Sequence, residues 1–396
     1  METPMSDLDS IVNSLGRAEL HAGLRVAIIA GTLEQGGAEK QLVYIVKGLK
    51  SVGADVRVYS LTDGGFYYAR LESMGVSPVP IGKSHNRLRR IAALALDMRK
   101  FRPHIVQAMH FYVNLYAWIT APVSGAMAVG SIRGDAIHDV DANGLWGRWL
   151  LKLPRAVLAN SYSARENARF MGVSPEKIHI LENVIDLQEF DRKMKESRII
   201  LGGADNVIAM TICSLISQKR VDKFLRAVAL ARTRVNSLLG VIVGDGPQRR
   251  GLESLAQELG LVPGGVIFLG RQDNIATLLS NAHMLVVSSA HEGFPNVILE
   301  AMAASLPVIA TPVGDAPTIV RDGITGYIVP MDDVARMADR ITELALNPDE
   351  RGRLGWEARL RVEQDYNHAE LGQRILAVYR EIANMSKSKS LQEVLR

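Results

Sequence analysis

A chain of 396 residues is too long for one compact core, so two domains are expected. Its 47% hydrophobic and 22% charged residues exclude disordered and collagen-like classes, and a lone cysteine, Cys213, excludes an internal disulfide framework and fits a reducing cytoplasm. The net charge of +4 comes with neither a basic face interleaved with aromatics nor a recognisable module, so no nucleic-acid partner is expected.

Residues 1–23 are polar and acidic, lack the basic start and apolar core of a signal peptide, and read as a flexible leader. From residue 24 onward short apolar runs alternate with amphipathic ones, the pattern of parallel strands joined by crossover helices. Strands are predicted at 25–32, 55–61, 104–110, 126–133, 155–161 and 178–184, with helices at 37–51, 87–101 and 163–171. Residues 111–132 carry no charge and are long enough to span a bilayer. Asn114, Pro122, Ser124 and Gly125 break that run, which reads as a helix at 111–121, a turn and a buried strand. Residues 187–205, charged and then glycine-bearing, suit a linker between a domain at 24–186 and another at 206–365. The second domain repeats the pattern, with strands at 207–214, 238–244, 266–270, 284–288 and 307–310 and helices at 221–233, 248–258, 273–280 and 296–304. Residues 366–396 supply a last helix, at 369–382, and a mobile tail.

The densest basic cluster is Arg87, Arg89, Arg90, Arg99, Lys100 and Arg102, at the two ends of an apolar helix. It reads either as an ordinary helix with solvated ends or as an amphipathic edge for an anionic membrane surface. Trp146 and Trp149, on one helical face, add to the second reading.

The most informative stretch runs from Ser288 to Gly314. It ends a strand, makes a polar loop and starts a helix at Pro295, a residue suited to the first helical position because no N–H is needed there. The amides of Asn296, Val297 and Ile298 then point out of the helix start, a ready site for a phosphate. Glu292 lies in the loop and Glu300, eight positions on, in the helix. Carboxylates accept hydrogen bonds from sugar and ribose hydroxyls, so the set fits a nucleotide-sugar donor. The run E-G-F-P-N-x-x-x-E-A-M-A, whose third residue is Phe294, resembles the signature of the retaining GT-B glycosyltransferases of family four, glycosyltransferases group 1. The resemblance covers most of residues 24–350 and implies two Rossmann-like, doubly wound parallel-sheet domains facing a cleft. The last helix would cross back to the first domain.

The same resemblance assigns roles along the chain. Gly36 and Gly37 open a helix after the first strand, where the absence of a Cβ allows close approach to a ligand. They form neither a Walker loop nor a dinucleotide fingerprint; the family closes this loop over the donor. His110 ends a strand where the family places a histidine against the transferred sugar, and it joins Glu292 as the expected catalytic pair. Lys219 matches a diphosphate-binding lysine, but Ser214 stands where the family has an arginine, with Arg220 or Arg271 as substitutes. Gly244 and Arg271 mark the nucleotide wall, Glu300 the ribose contact, and Arg133 an acceptor or phosphate contact. Val184 replaces a glycine in the family's N-G-V-D turn, where a β-branched residue changes the local backbone. Asp139 and Asp141 spell the D-x-D of another glycosyltransferase fold, away from any strand end, and no cluster has metal-ligand spacing. No cofactor or metal is expected.

The resemblance implies a metal-independent, retaining hexosyltransferase using a UDP- or GDP-sugar, and an acceptor that is a glycan, lipid-linked or small molecule in cell-envelope or exopolysaccharide synthesis is expected with it. It would be cytoplasmic or peripheral on the inner face of the cytoplasmic membrane. Alternatives are a sugar-nucleotide epimerase, a phosphorylase, or a non-catalytic nucleotide-sugar-binding protein.

Overall fold

The computed structural model describes residues 23–82, 86–133, 144–196, 201–203, 205–386, 392 and 394–395. The expected pair of parallel, doubly wound sheets is present. The first has seven strands: β1 (Arg25–Ala30), β2 (Asp55–Ser60), β3 (Val79–Pro80), β4 (Ile105–Ala108), β5 (Met127–Ile132), β6 (Ala156–Ala159) and β7 (Ile178–Ile180), ordered β3-β2-β1-β4-β5-β6-β7. The second has six: β8 (Val207–Ile212), β9 (Leu238–Val243), β10 (Val266–Gly270), β11 (Met284–Val287), β12 (Val308–Ala310) and β13 (Gly326–Ile328), ordered β10-β9-β8-β11-β12-β13.

Parallel strands are covered on both faces, which is why they read as unbroken apolar runs. Every residue of β5 and β9 is buried. Two compact units result. One holds the described residues up to Ser131, Trp149–Leu158 and those from Ala369 on; the other holds those of Ile132–Arg148 and Ala159–His368.

In the first unit the helix Leu371–Ser386 lies against the helix Gly37–Ser51. The two backbones come so close that a Cβ on Gly372 would stand 2.5 Å from the carbonyl oxygen of Gly48. Deeper in, the buried Tyr379 hydroxyl donates to Gln107 Oε1 of β4 at 2.5 Å. On the other side, the helix Arg87–Phe101 contributes Leu94, Met98 and Phe101 to a core shared with Tyr116 and Ala117 of the helix Asn114–Thr120. The uncharged run 111–132 is therefore short helical turns and a strand, and no described helix is long and apolar enough to cross a membrane.

The segment read as a linker needs correcting at its start, because Leu187–Glu196 is a helix. Asp186 accepts from the Glu189 N–H at its beginning, and Leu187 and Phe190 are buried in the second core. Arg359 grips Asp191 through both carboxylate oxygens at 2.7 and 2.8 Å. A short amphipathic helix of charged composition carries few apolar residues, and its two anchors are too few to read as a period. The strands β3 and β13 and the helices Val334–Leu346 and Pro348–Asp365 also lie outside the expected set. Asp139 and Asp141, the first 22 residues and most of the tail lie outside the described residues.

Candidate active site

In open α/β sheets ligands bind beyond the carboxyl ends of the strands, where the strand order reverses. The first sheet reverses between β1 and β4, the second between β8 and β11. Gly36 and His110 follow β1 and β4, and Lys219 and Glu292 follow β8 and β11, whereas Gly244 and Arg271 follow β9 and β10, and Arg133 follows β5.

In the second unit the loops leaving β8 and β11 are stitched together. The Ala290 N–H donates to Gln218 O at 2.8 Å, and the Ser288 hydroxyl bonds the carbonyls of Lys219 and Arg220. Thr311 Oγ1 donates to Ser289 O at 2.6 Å, bringing in the end of β12. On this frame Lys219 Nζ meets both oxygens of Glu292 at 2.7 Å, and Ser289 Oγ donates to Glu292 Oε1 at 2.7 Å. The two side chains are 21% and 13% exposed, enough to reach a ligand and little enough for the charge pairing to matter.

Glycines hold this frame by fitting protein against protein. Gly314 has φ +54, and a Cβ there would stand 2.2 Å from Gly293 O and 2.6 Å from Glu292 O. Gly244, at φ +131, packs on the Cys213 carbonyl, which a Cβ would meet at 1.8 Å. The glycine at 244 thus serves contact with the β8 loop. Burial pushes the neighbouring Cys213 thiol up to about 11, which favours its protonated form at neutral pH.

The helix after Glu292 starts at Asn296, where the sequence places it, but Pro295 stands before the first turn and not in it. It spans Asn296–Ala303, and Pro295 is its cap. The Ile298 N–H donates to Pro295 O at 3.0 Å, which removes it from the expected set of outward amides. Asn296 and Val297 remain at the helix start, where first-turn N–H groups have no partner within the helix. Phe294, expected among the donor contacts, is a core residue, 7% exposed and edge-on to Tyr366. A tight turn between a strand end and a helix folds this apolar side chain inward, while Glu292, Asn296, Val297 and Glu300 stay partly exposed. Glu300 is half-buried on the same helix.

Arg220 does not stand free to replace the arginine missing at Ser214. It caps the helix Val221–Arg232 in a left-handed conformation, φ 47. Its guanidinium bonds Asp222 at 3.1 and 3.3 Å and Asp332 at 3.0 Å, contacts that reinforce its charged form. Arg271 is exposed beyond Gly270, whose carbonyl accepts from the Gly244 N–H.

Two contacts were not legible beforehand. Arg133 donates to Asn183 Oδ1 at 3.2 Å, and Asn183 donates to Asn296 Oδ1 at 2.9 Å, so Arg133 is linked to the start of the Glu300 helix. Asp315 is buried and accepts the N–H groups of Tyr162 and Ser163 at 2.8 Å each, at the start of the helix Tyr162–Phe170. Burial raises its pKa in spite of these two donors. Val184 is buried and has no left-handed backbone, in keeping with an altered turn.

In the first unit Gly36 caps the helix Gly37–Ser51 in extended conformation. His110 follows β4 and is stacked on Tyr112, with ring centroids 5.1 Å apart. Its Nδ1 accepts from the Gly31 N–H at 3.4 Å, and its Nε2 stands 3.5 Å from Glu39 Oε1. Thr32 Oγ1 donates to the same oxygen at 2.8 Å. Burial raises the Glu39 pKa, but the bonds from His110 and Thr32 outweigh it and leave the carboxyl below its ordinary value. Glu39 is the residue that sequence reasoning passed over. The place a Cβ on Gly36 would take lies 2.3 Å from its Oε2.

Among the described residues no group of three or more His, Cys, Asp or Glu side chains could hold a metal ion.

Comparison with known proteins fits this geometry. Residues 206–347 match the family described as glycosyl transferases group 1, and residues 35–189 match Glycosyltransferase Family 4. The chain is 31% identical to the N-acetyl-alpha-D-glucosaminyl L-malate synthase of Bacillus anthracis over 219 residues, 54% of this chain and 57% of that one. It is 33% identical to the D-inositol 3-phosphate glycosyltransferase of Mycobacterium bovis over 239 residues, 57% of this chain and 48% of that one. The chain thus spans about half the length of these curated relatives. Among solved structures, Anabaena HepE in complex with UDP-glucose has a TM-score of 0.79 at 20% identity, covering 92% of this chain and 100% of that one. A glycosyltransferase from Rickettsia africae has a TM-score of 0.74 at 18% identity, over 91% and 98% of the two chains. These two likenesses concern the fold, which is GT-B.

Proposed function

Because the chain belongs to the group 1 glycosyltransferases, we propose that it moves a hexose-type sugar from a nucleotide-diphosphate sugar to an acceptor hydroxyl, with retention of configuration and without a metal. The observation that carries this reading is the Lys219–Glu292 pair at the switch point of the second sheet, beside the helix start at Asn296 and Val297. A fixed cation and first-turn amides suit a diphosphate, and Glu292 suits sugar hydroxyls. Glu300 is assigned to the ribose, and His110 with Gly36 and Gly37 to the transferred sugar. In this scheme the acceptor oxygen bonds to the anomeric carbon on the face from which the diphosphate leaves. The carbon–phosphate oxygen bond breaks, and the departing phosphate oxygen takes the acceptor proton. No enzyme nucleophile is required. Lys219 stabilises charge developing on the leaving group, a large term when the charge is preorganised.

The name of the Anabaena neighbour supports UDP-sugars as the first donors to try, and the names of the two relatives support N-acetylglucosamine and small polar acceptors. A glycan or lipid-linked acceptor in cell-envelope or exopolysaccharide synthesis is the wider class. The deciding experiment is a thermal-shift screen against UDP, GDP, ADP and their sugar conjugates. A ligand at a hundred times its Kd adds about 2.7 kcal/mol. One hit names the donor. No shift from any of them means that Ser214 has cost donor binding and favours a non-catalytic protein. Release of an altered nucleotide sugar without acceptor, or turnover only with orthophosphate, favours an epimerase or a phosphorylase.

A further inference from the structure

The outward face of the helix Arg87–Phe101 has a chemistry that the transfer reaction does not use. Its inner side is buried through Leu94, Met98 and Phe101. Its exposed positions are Arg87, Leu88, Arg89, Ala92, Ala93, Leu96, Arg99 and Lys100, and none of them is acidic. The one acid of the helix, Asp97, is occupied by Arg57 at 2.8 Å and Tyr59 at 2.7 Å. Leu88 is 75% and Leu96 60% exposed, although nothing about an outer helix of an α/β domain requires leucine there. The adjoining helix Asn114–Thr120 shares the core beneath through Tyr116 and Ala117, and it leaves Trp118 42% exposed. The helix Pro348–Asp365 is a useful contrast. Its exposed Arg353 pairs with Glu350 of the same helix.

We propose that the surface formed by Leu88, Leu96 and Trp118, ringed by Arg89, Arg99 and Lys100, docks this protein onto an anionic lipid bilayer. Exposed leucines on a helix that carries cations, with an exposed tryptophan on the adjoining helix, match the boundary between headgroups and acyl chains, where apolar groups enter and cations meet lipid phosphates. A protein partner would need shape complementarity and acids of its own to meet three cations, whereas an anionic leaflet supplies the charge everywhere. Arg90, half-buried, is not part of the surface. The inference stands on this face alone, so it fails or holds independently of the donor chemistry.

The test is flotation of the full chain with vesicles of phosphatidylglycerol and phosphatidylethanolamine, against vesicles of phosphatidylcholine alone. Binding is expected to the anionic vesicles only, and to weaken with salt. Leu88→Asp with Leu96→Asp should abolish it at unchanged melting temperature and circular dichroism. Arg89→Glu with Arg99→Glu should weaken it by about 25-fold or more, at about 5-fold per basic group. No flotation with anionic vesicles, equal flotation with neutral ones, or binding that survives both double variants would overturn the proposal. So would lipid-free self-association that the leucine variants abolish, which would assign the face to a second copy of the chain.

Discussion

Both carboxylate oxygens of Glu292 lie 2.7 Å from the Nζ of Lys219, joining the two loops that leave the second sheet at its switch point. The two residues lie 73 positions apart in sequence. In the proposed reaction a diphosphate and a sugar would compete for the two partners of this pair.

Lys219→Ala should weaken binding of the donor nucleotide by about 10- to 100-fold, the worth of one charge-assisted contact. Glu292→Ala should abolish transfer while leaving the fold intact, because Ser289 and Thr311 still hold the loop. Calorimetry with the donor and a transfer assay give the two numbers. Undiminished turnover by Glu292→Ala would remove that residue from the site.

Glu39 has its pKa lowered in the folded state by His110 and Thr32, against the effect of burial. A depressed carboxyl contributes stability above its unfolded value, near 4.5, and loses it as pH falls through the folded value. Glu39→Gln should therefore cost about 1–2 kcal/mol at neutral pH and progressively less below pH 4.5. Urea melts across that range would measure it, and a loss independent of pH would mean that the charge is not the source. Transfer should also fall, through a disordered His110.

Gly314→Ala places a Cβ against the backbone of Gly293 and Glu292 and should cost about 2–4 kcal/mol, with a displaced Glu292 lowering activity. Gly323→Ala is the control, since its φ is +72 with nothing within 4 Å. It should cost only the backbone term of about 1–2 kcal/mol. Equal losses in the two variants would show that the contact with the Glu292 turn is unimportant.

Transfer should proceed unchanged after dialysis against EDTA, because the charge of the leaving group is assigned to Lys219 and helix amides. A rate that collapses and returns with magnesium would refute the metal-independent scheme.

Much of the fold was legible in the sequence because its signals are local. Buried parallel strands such as LLGVIV in β9 read as apolar runs, and the period of the intervening helices follows from their own residues. The helix Leu187–Glu196 was not legible, since its hold on the second core comes from two apolar side chains and a distant Arg359. The motif from Glu292 to Glu300 placed a loop and a helix where the structure has them. It could not tell that Phe294 turns inward, that the Ile298 amide closes on Pro295, or that Arg220 is taken by Asp222 and Asp332.

By itself, then, the sequence determined two α/β sheets and the chemical types available at their strand ends, because alternation and helix periodicity are properties of neighbouring residues. Only the tertiary structure decided which of those groups are already engaged. Glu39 meets His110 across 71 positions. Asp315 meets the start of a helix some 150 residues earlier. Gly314 backs onto the turn of Glu292. Such contacts depend on the strand order of each sheet, which brings distant loops together at the reversal, and no local pattern records it.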